Sequence, residues 1–268
     1  MKNLLLVTTC FLGLCAGTSN AGNIVLTGHD DDLHQSAGAN AQVLGSLKFV
    51  RNGSTLPVLT FDSGSQLTSQ LTSLSILFTN VNPNTASNVI DTLFDITKYS
   101  AFAVASQASC GGCDNSPAGV ANIATHSAAI ASFFNAGGGI FGLTAGSDPK
   151  GYAYIPTTAT NAGGSPNSFN HVQTGAGATL GITAVNGDAT HNFFSQPGTG
   201  GLASGFVVVE EERNPDVAAI PLTVAFSNGR IDGGGLVGGD TPVPEPATML
   251  LFGSALAGLG FARRSKRT

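Results

Sequence analysis

The densest chemistry in this 268-residue chain lies in Gly28-His29-Asp30-Asp31-Asp32-Leu33-His34, where two imidazoles and three carboxylates fall within seven residues. Imidazole nitrogens and carboxylate oxygens are ordinary donors to divalent cations. His29, Asp30, Asp31 and His34 therefore form a candidate metal or polar-ligand set, which His191 or Asp148 could complete from neighbouring loops. The spacing fits neither an EF-hand loop nor a His-Glu-x-x-His helix. The competing reading is a solvated acidic loop whose Asp caps the next helix. A divalent metal is the one cofactor these residues suggest, and nothing in the sequence requires it.

A second constellation is Cys110-Gly111-Gly112-Cys113. In an oxidising compartment, two thiols separated by two glycines should close into a small disulfide ring that pins a loop. A redox role would need the first Cys at a helix N-terminus, and Pro117 places a helix start nearby. Zinc would need two further ligands, and there is no second Cys pair. Thr144, Ser147 and Asp148 suggest a hydrolase elbow, but the central residue of the required Gly-x-Ser-x-Gly is Thr. Gly137-Gly138-Gly139 precedes a strand and reads as a tight turn rather than a phosphate cradle. Glu210-Glu211-Glu212 reads as the exposed end of a strand, and His126 as a packed or surface residue of a helix.

The two ends of the chain read as addresses. Lys2, an apolar run from Leu4 to about Ala16 and the small-x-small ending Ser19-Asn20-Ala21 form a secretory signal over residues 1–21, which carries off Cys10 and Cys15. Charged residues are only 10% of the chain, which suits an exported protein. The body, with six basic residues from Lys48 to Arg230, lacks the basic stripe that nucleic acid requires. Four more cations, Arg263, Arg264, Lys266 and Arg267, follow an apolar run of about 16 residues. As a helix that run would reach ~24 Å, slightly short of a ~30 Å hydrocarbon core. A basic cluster after an apolar stop holds that end in the cytoplasm while the body crosses.

Val243-Pro244-Glu245-Pro246, the apolar run and Arg263-Arg264, in this order, resemble the PEP-CTERM sorting signal of Gram-negative bacteria over residues 243–268. The resemblance implies an exosortase and the secretion machinery as partners, with transient inner-membrane tethering by a transmembrane helix. It also implies processing near Pro244, Glu245 and Pro246 and delivery to the cell surface or to an exopolysaccharide, biofilm-type matrix. Residues 231–242, rich in Gly, read as a flexible linker between tail and body.

In the body, residues 22–230, short apolar runs alternate with helical patterns. Strands are expected at 23–28, 56–62, 100–106 and 140–146, with helices at 37–53, 88–99 and 118–139. Residues 65–80 fit either a helix or a loop plus strand, and 205–212 with 221–231 form a closing hairpin. Strands alternating with helices imply an α/β fold, a mostly parallel doubly wound sheet with helices on both faces. Its ligand crevice should lie at the carboxyl ends of the strands, where the three polar clusters fall. The segments FDITKYSAFAVAS and FFNAGGGIFGLTAG are similar to the core of class I glutamine amidotransferase-like domains, including the ThuA-like branch. That resemblance puts Thr144 at the nucleophile position normally held by Cys, and GDATHNFF, with His191, loosely resembles the Gly-x-Pro-x-Thr/His region of some branches. It implies a flavodoxin-like body that is inactive as an amidotransferase, since a Thr hydroxyl is a poor nucleophile without an activating base. The expectation is an exported surface protein with a non-catalytic body that binds a small ligand. The alternative is an extracellular hydrolase or metal-dependent enzyme using the strand-end loops.

Overall fold

The computed structural model describes residues 21–238 except 147, 149, 157–169, 189, 216 and 217. The leading signal, the sorting tail and Ser147 lie outside the described residues. Branched and aromatic runs form five parallel strands, β1 (Gly22–Thr27), β2 (Val58–Phe61), β3 (Phe78–Val81), β4 (Ala101–Val104) and β5 (Gly139–Gly142). Three antiparallel strands follow, β6 (His171–Gln173), β7 (Phe206–Glu212) and β8 (Ile220–Asp232), and β9 (Gly235–Gly238) pairs with the end of β8. The order across the sheet is β3-β2-β4-β5-β1-β8-β7-β6. The architecture is mixed α/β, with a parallel five-strand half and an antiparallel half.

Side chains alternate across each strand, so the two faces fill separately. Ile24, Leu26, Phe61, Phe102 and Ile140 pack with α4 (Pro117–Ala124) and α5 (Ser127–Asn135). Val25, Val58, Ala103 and Phe141 pack with α1 (Ala37–Val50) and α2 (Gln66–Ser73) on the other face. Two short helices, α3 (Ser87–Ile90) and α6 (Gly175–Leu180), complete the set. Leu26 pairs with Gly142, Gly142 with Val104, and Val104 with Phe61. The segments after β1, β2, β4 and β5 therefore leave the sheet at one level, and the polar clusters share one edge.

Three expectations change. The helix read over 88–99 is one turn of α3 and a 3-10 turn, because Thr97 bonds to Asp95 and Thr92 to the Val89 carbonyl, alternatives that compete with a helix. The helix read over 118–139 breaks between α4 and α5, where Thr125 bonds back to Asn122 and the buried His126 turns its Nδ1 to Asp91 at 2.6 Å. Residues 231–238 of the expected linker instead carry the end of β8 and all of β9, with Gly233 and Gly234 at positive φ in the turn. Residues 65–80 turn out to hold both a helix, α2, and a strand, β3.

Candidate functional site

Gly28 follows β1 and receives the segment that carries His191. The His191 N–H donates to the Gly28 carbonyl at 2.8 Å, and the Gly28 N–H to Leu222 at 2.8 Å. A Cβ at this position would lie 2.0 Å from the Asn192 carbonyl oxygen, so only glycine allows the two segments to approach so closely. The chain then turns, with the N–H groups of Leu33 and His34 donating to the Asp30 carbonyl.

Asp30 is the hub. Its side chain is 1% exposed, and its Oδ2 lies 3.2 Å from His191 Nε2 and 3.5 Å from His34 Nε2. His34 Nδ1 lies 3.6 Å from Asp188 Oδ1. Asp30, His34 and Asp188 each present one ligand atom within 4.8 Å of the others. A shallow cavity of about 290 Å³, lined by His34, Ser36, Asn186, Gly187 and Asp188, opens His34 and Asp188 to solvent. A larger depression of about 580 Å³ beside Asn23 and Asn228 is at the opposite end of β1, away from this chemistry. For His191, burial opposes the charged form, but the hydrogen bond to Asp30 and the Asp30 charge together raise its pKa.

Beneath Asp30 lies a fully buried network. Glu210 Oε1 accepts from His29 Nε2 at 3.1 Å and from the Val185 N–H at 2.7 Å, while Oε2 accepts from Gln42 at 2.8 Å and Thr223 at 2.6 Å. Burial opposes charge on both members of the pair. It is outweighed at His29, whose pKa rises to about 9 through the charge and hydrogen bond of Glu210, and at Glu210, which is held below the usual carboxylate range by His29, Thr223 and Val185. His171 packs edge-on to His29 with ring centroids 5.4 Å apart. Asp32 accepts from the Ser106 N–H at 2.8 Å and the Ser106 hydroxyl at 2.5 Å, yet burial raises it to about 6. Burial raises Asp31 well above the carboxylate range.

Four buried side-chain atoms on three successive residues have no hydrogen-bond partner: His29 Nδ1, Asp30 Oδ1 and both carboxylate oxygens of Asp31. Buried polar atoms are almost always paired, and each exception calls for a bound water, ion or proton. The exceptions cluster at the carboxyl end of β1.

The disulfide between Cys110 and Cys113, Cα atoms 5.9 Å apart, brings its loop to the same place, with Cys113 Sγ 3.8 Å from Asp30 Oδ2. Cys110 ends a 3-10 turn and does not begin a helix, so the redox expectation based on a helix N-terminus does not hold. Asp114, the next residue, accepts from the N–H groups of Ser65 and Gln66 at the start of α2, which has no side-chain cap of its own.

The sequence-predicted residues divide accordingly. His34 and His191 converge on Asp30, and His29 and Asp31 lie in the buried layer below it. Thr144 is 1% exposed; its N–H donates to the His29 carbonyl and its hydroxyl accepts from the Gly146 N–H. A buried hydroxyl engaged in its own turn is not placed as a nucleophile. Asp148 accepts from Gln107 at 3.0 Å. Glu210 corrects the reading of an exposed acidic strand end: register shifts around it bulge β7, so Val209 and Glu210 are buried in succession. Sequence reasoning also passed over Asp188 and His171. The Gly187-Asp188 turn signal three residues before His191 was the one available hint of Asp188.

Fold and site together define a mixed α/β body with an acid- and imidazole-rich edge. Residues 242–267 match the PEP-CTERM protein-sorting motif, which supports an exported protein processed by an exosortase at the membrane before release to the cell surface. No curated protein and no solved structure matches the chain, so the amidotransferase-like resemblance of the body gains no support. Among the described residues no helix is long and apolar enough to cross a membrane, and the apolar run at 247–262 lies outside them.

Proposed function

We propose that this exosortase-sorted protein carries to the cell surface or its exopolysaccharide matrix a non-catalytic α/β body that binds a divalent cation at Asp30, His34 and Asp188. The observation that carries the reading is Asp30, a buried carboxylate with one oxygen unpartnered and the other facing two partly exposed imidazoles. Metal–oxygen and metal–nitrogen bonds of about 2.0–2.2 Å at tetrahedral angles separate neighbouring ligand atoms by roughly 3.3–3.6 Å. One ligand atom from each of Asp30, His34 and Asp188 lies within 4.8 Å of the others, a spread that modest side-chain adjustment brings to that separation. A carboxylate and imidazole set suits zinc or another borderline divalent ion. The solvent side supplies an open coordination position. That open position also favours a second reading, a metal-dependent hydrolase, which would show turnover once loaded with metal.

The test is zinc titration of the protein purified after export, with metal content measured after dialysis. The expected result is one equivalent bound, with at least a tenfold loss of affinity in Asp30→Asn and in the double variant His34→Ala, Asp188→Asn. Binding unchanged in Asp30→Asn would sink the proposal.

A further inference from the structure

We propose a second metal site, formed by Cys110, Cys113 and Asp30 when the disulfide is reduced, that takes zinc or another thiolate-seeking divalent ion. It shares Asp30 with the cation site proposed above but needs neither His34 nor Asp188, so it stands or falls separately.

One ligand atom from each of Cys110, Cys113 and Asp30 lies within 4.8 Å of the others. The 3.8 Å contact from Cys113 Sγ to Asp30 Oδ2 is a hydrogen bond only when the sulfur carries a proton, and a disulfide sulfur carries none. In the oxidised chain a buried carboxylate therefore faces a sulfur that gives it nothing, while its other oxygen has no partner. Reduction supplies S–H donors. Loss of those protons would set thiolates against the carboxylate, a repulsion that a cation between them converts into attraction. The distance suits this: Zn–S bonds of about 2.3 Å and Zn–O bonds of about 2.0 Å at a tetrahedral angle put sulfur and oxygen about 3.5 Å apart. Sequence spacing alone leaves Cys110 and Cys113 short of zinc ligands, and the fold supplies a third in Asp30 and a solvent position through the partly exposed Cys110.

The disulfide is not the only tie on this loop. Cys110 donates its N–H to Gln107, Gly111 donates to Ala108, and Asn115 bonds to Ser63, Phe61 and Ala105. These bonds would keep the loop backbone, and with it both cysteines, at the edge of the site when the bond opens. An external dithiol transfers two electrons and two protons to the disulfide, becoming a disulfide itself and leaving two thiols. The metal then displaces both thiol protons.

The experiment uses the exported protein, oxidised or reduced with excess dithiothreitol and desalted anaerobically, with thiols counted before titration with Co(II) and Zn(II). Reduction is expected to bring a sulfur-to-cobalt charge-transfer band and at least tenfold tighter Zn(II) binding. Both should persist in the His34→Ala, Asp188→Asn double variant and be lost in Cys113→Ser and in Cys110→Ser. Two free thiols with no such band, a gain on reduction that survives Cys113→Ser, or loss of the far-ultraviolet circular dichroism spectrum on reduction would overturn the proposal. An oxidised protein that binds no cation sinks only the site at Asp30, His34 and Asp188.

Discussion

Glu210→Gln removes one charge from the buried layer while keeping the side-chain shape. Glu210 accepts from four donors: the His29 ring, the Val185 N–H, the Gln42 amide and the Thr223 hydroxyl. A Gln side chain has one acceptor oxygen and turns two N–H donors of its own towards the remaining partners, so at least two buried donors lose their acceptor. Each such orphan costs ~1–3 kcal/mol, and breaking a buried ion pair from one side costs ~3–5 kcal/mol. For a body of this size that is a fall in Tm of roughly 6–20 °C. The pH dependence gives an independent check. Holding the His29 proton to about 9 rather than 6.5 corresponds to roughly 3 kcal/mol. Because the folded value is raised, this stability is fully present below pH 6.5 and is lost as pH climbs through 9. Glu210 is held low, so its contribution is present above about pH 4.5 and is lost on acidification below it. Urea denaturation of both proteins from pH 5 to 9.5 should show a native stability that declines above pH 6.5 and a Glu210→Gln curve lacking most of that decline. A variant within ~1 kcal/mol of the native protein at pH 6, or a native curve flat from pH 6.5 to 9, would refute the reasoning.

Three other outcomes follow from the same geometry. Gly28→Ala forces a methyl group against the Asn192 carbonyl, so it should cost ~1–3 kcal/mol and, by shifting the segment that also carries Asp188, weaken zinc binding in the titration described above. Thr144→Cys should stay unreactive to iodoacetamide in the folded protein and react fully after denaturation, since position 144 is buried; rapid labelling of the native state would reopen the nucleophile reading. Replacing Pro244-Glu245-Pro246 by three alanines should shift the protein from the surface to the inner-membrane fraction, and an unchanged distribution would count against exosortase sorting.

Most of the parallel half was legible in the sequence because a strand buried on both faces is a continuous apolar run, and Ile24-Val25-Leu26 could hardly be anything else. Turn chemistry likewise marked the end of α1 at Asn52-Gly53, both at positive φ. What could not be read was geometry created by irregularity. A bulge in β7 turns Glu210 inward against the period-2 pattern, and a side chain reaching across to Asp91 interrupts an otherwise helical run at His126. The site was half visible for the same reason: His29 to His34 are contiguous, but Glu210 and Asp188 arrive from segments whose placement depends on the antiparallel half.

The deeper constraint on this protein is electrostatic. Of the sixteen Asp and Glu residues in the chain, six among the described residues are buried: Asp30, Asp31, Asp32, Asp62, Glu210 and Glu212. No Lys or Arg is buried among the described residues. An uncompensated buried carboxylate costs several kcal/mol, so each must be neutralised by a proton, an imidazolium or a bound cation. Protons serve at Asp31, whose pKa burial drives well up, and His29 serves Glu210. Asp30 has neither a buried cation nor a full set of donors, only His34 and His191 reaching in from the surface. A chain with so few charges has placed a buried carboxylate with one unpartnered oxygen where solvent, two imidazoles and a pair of sulfurs meet. A metal ion at that point would neutralise it without a buried Lys or Arg.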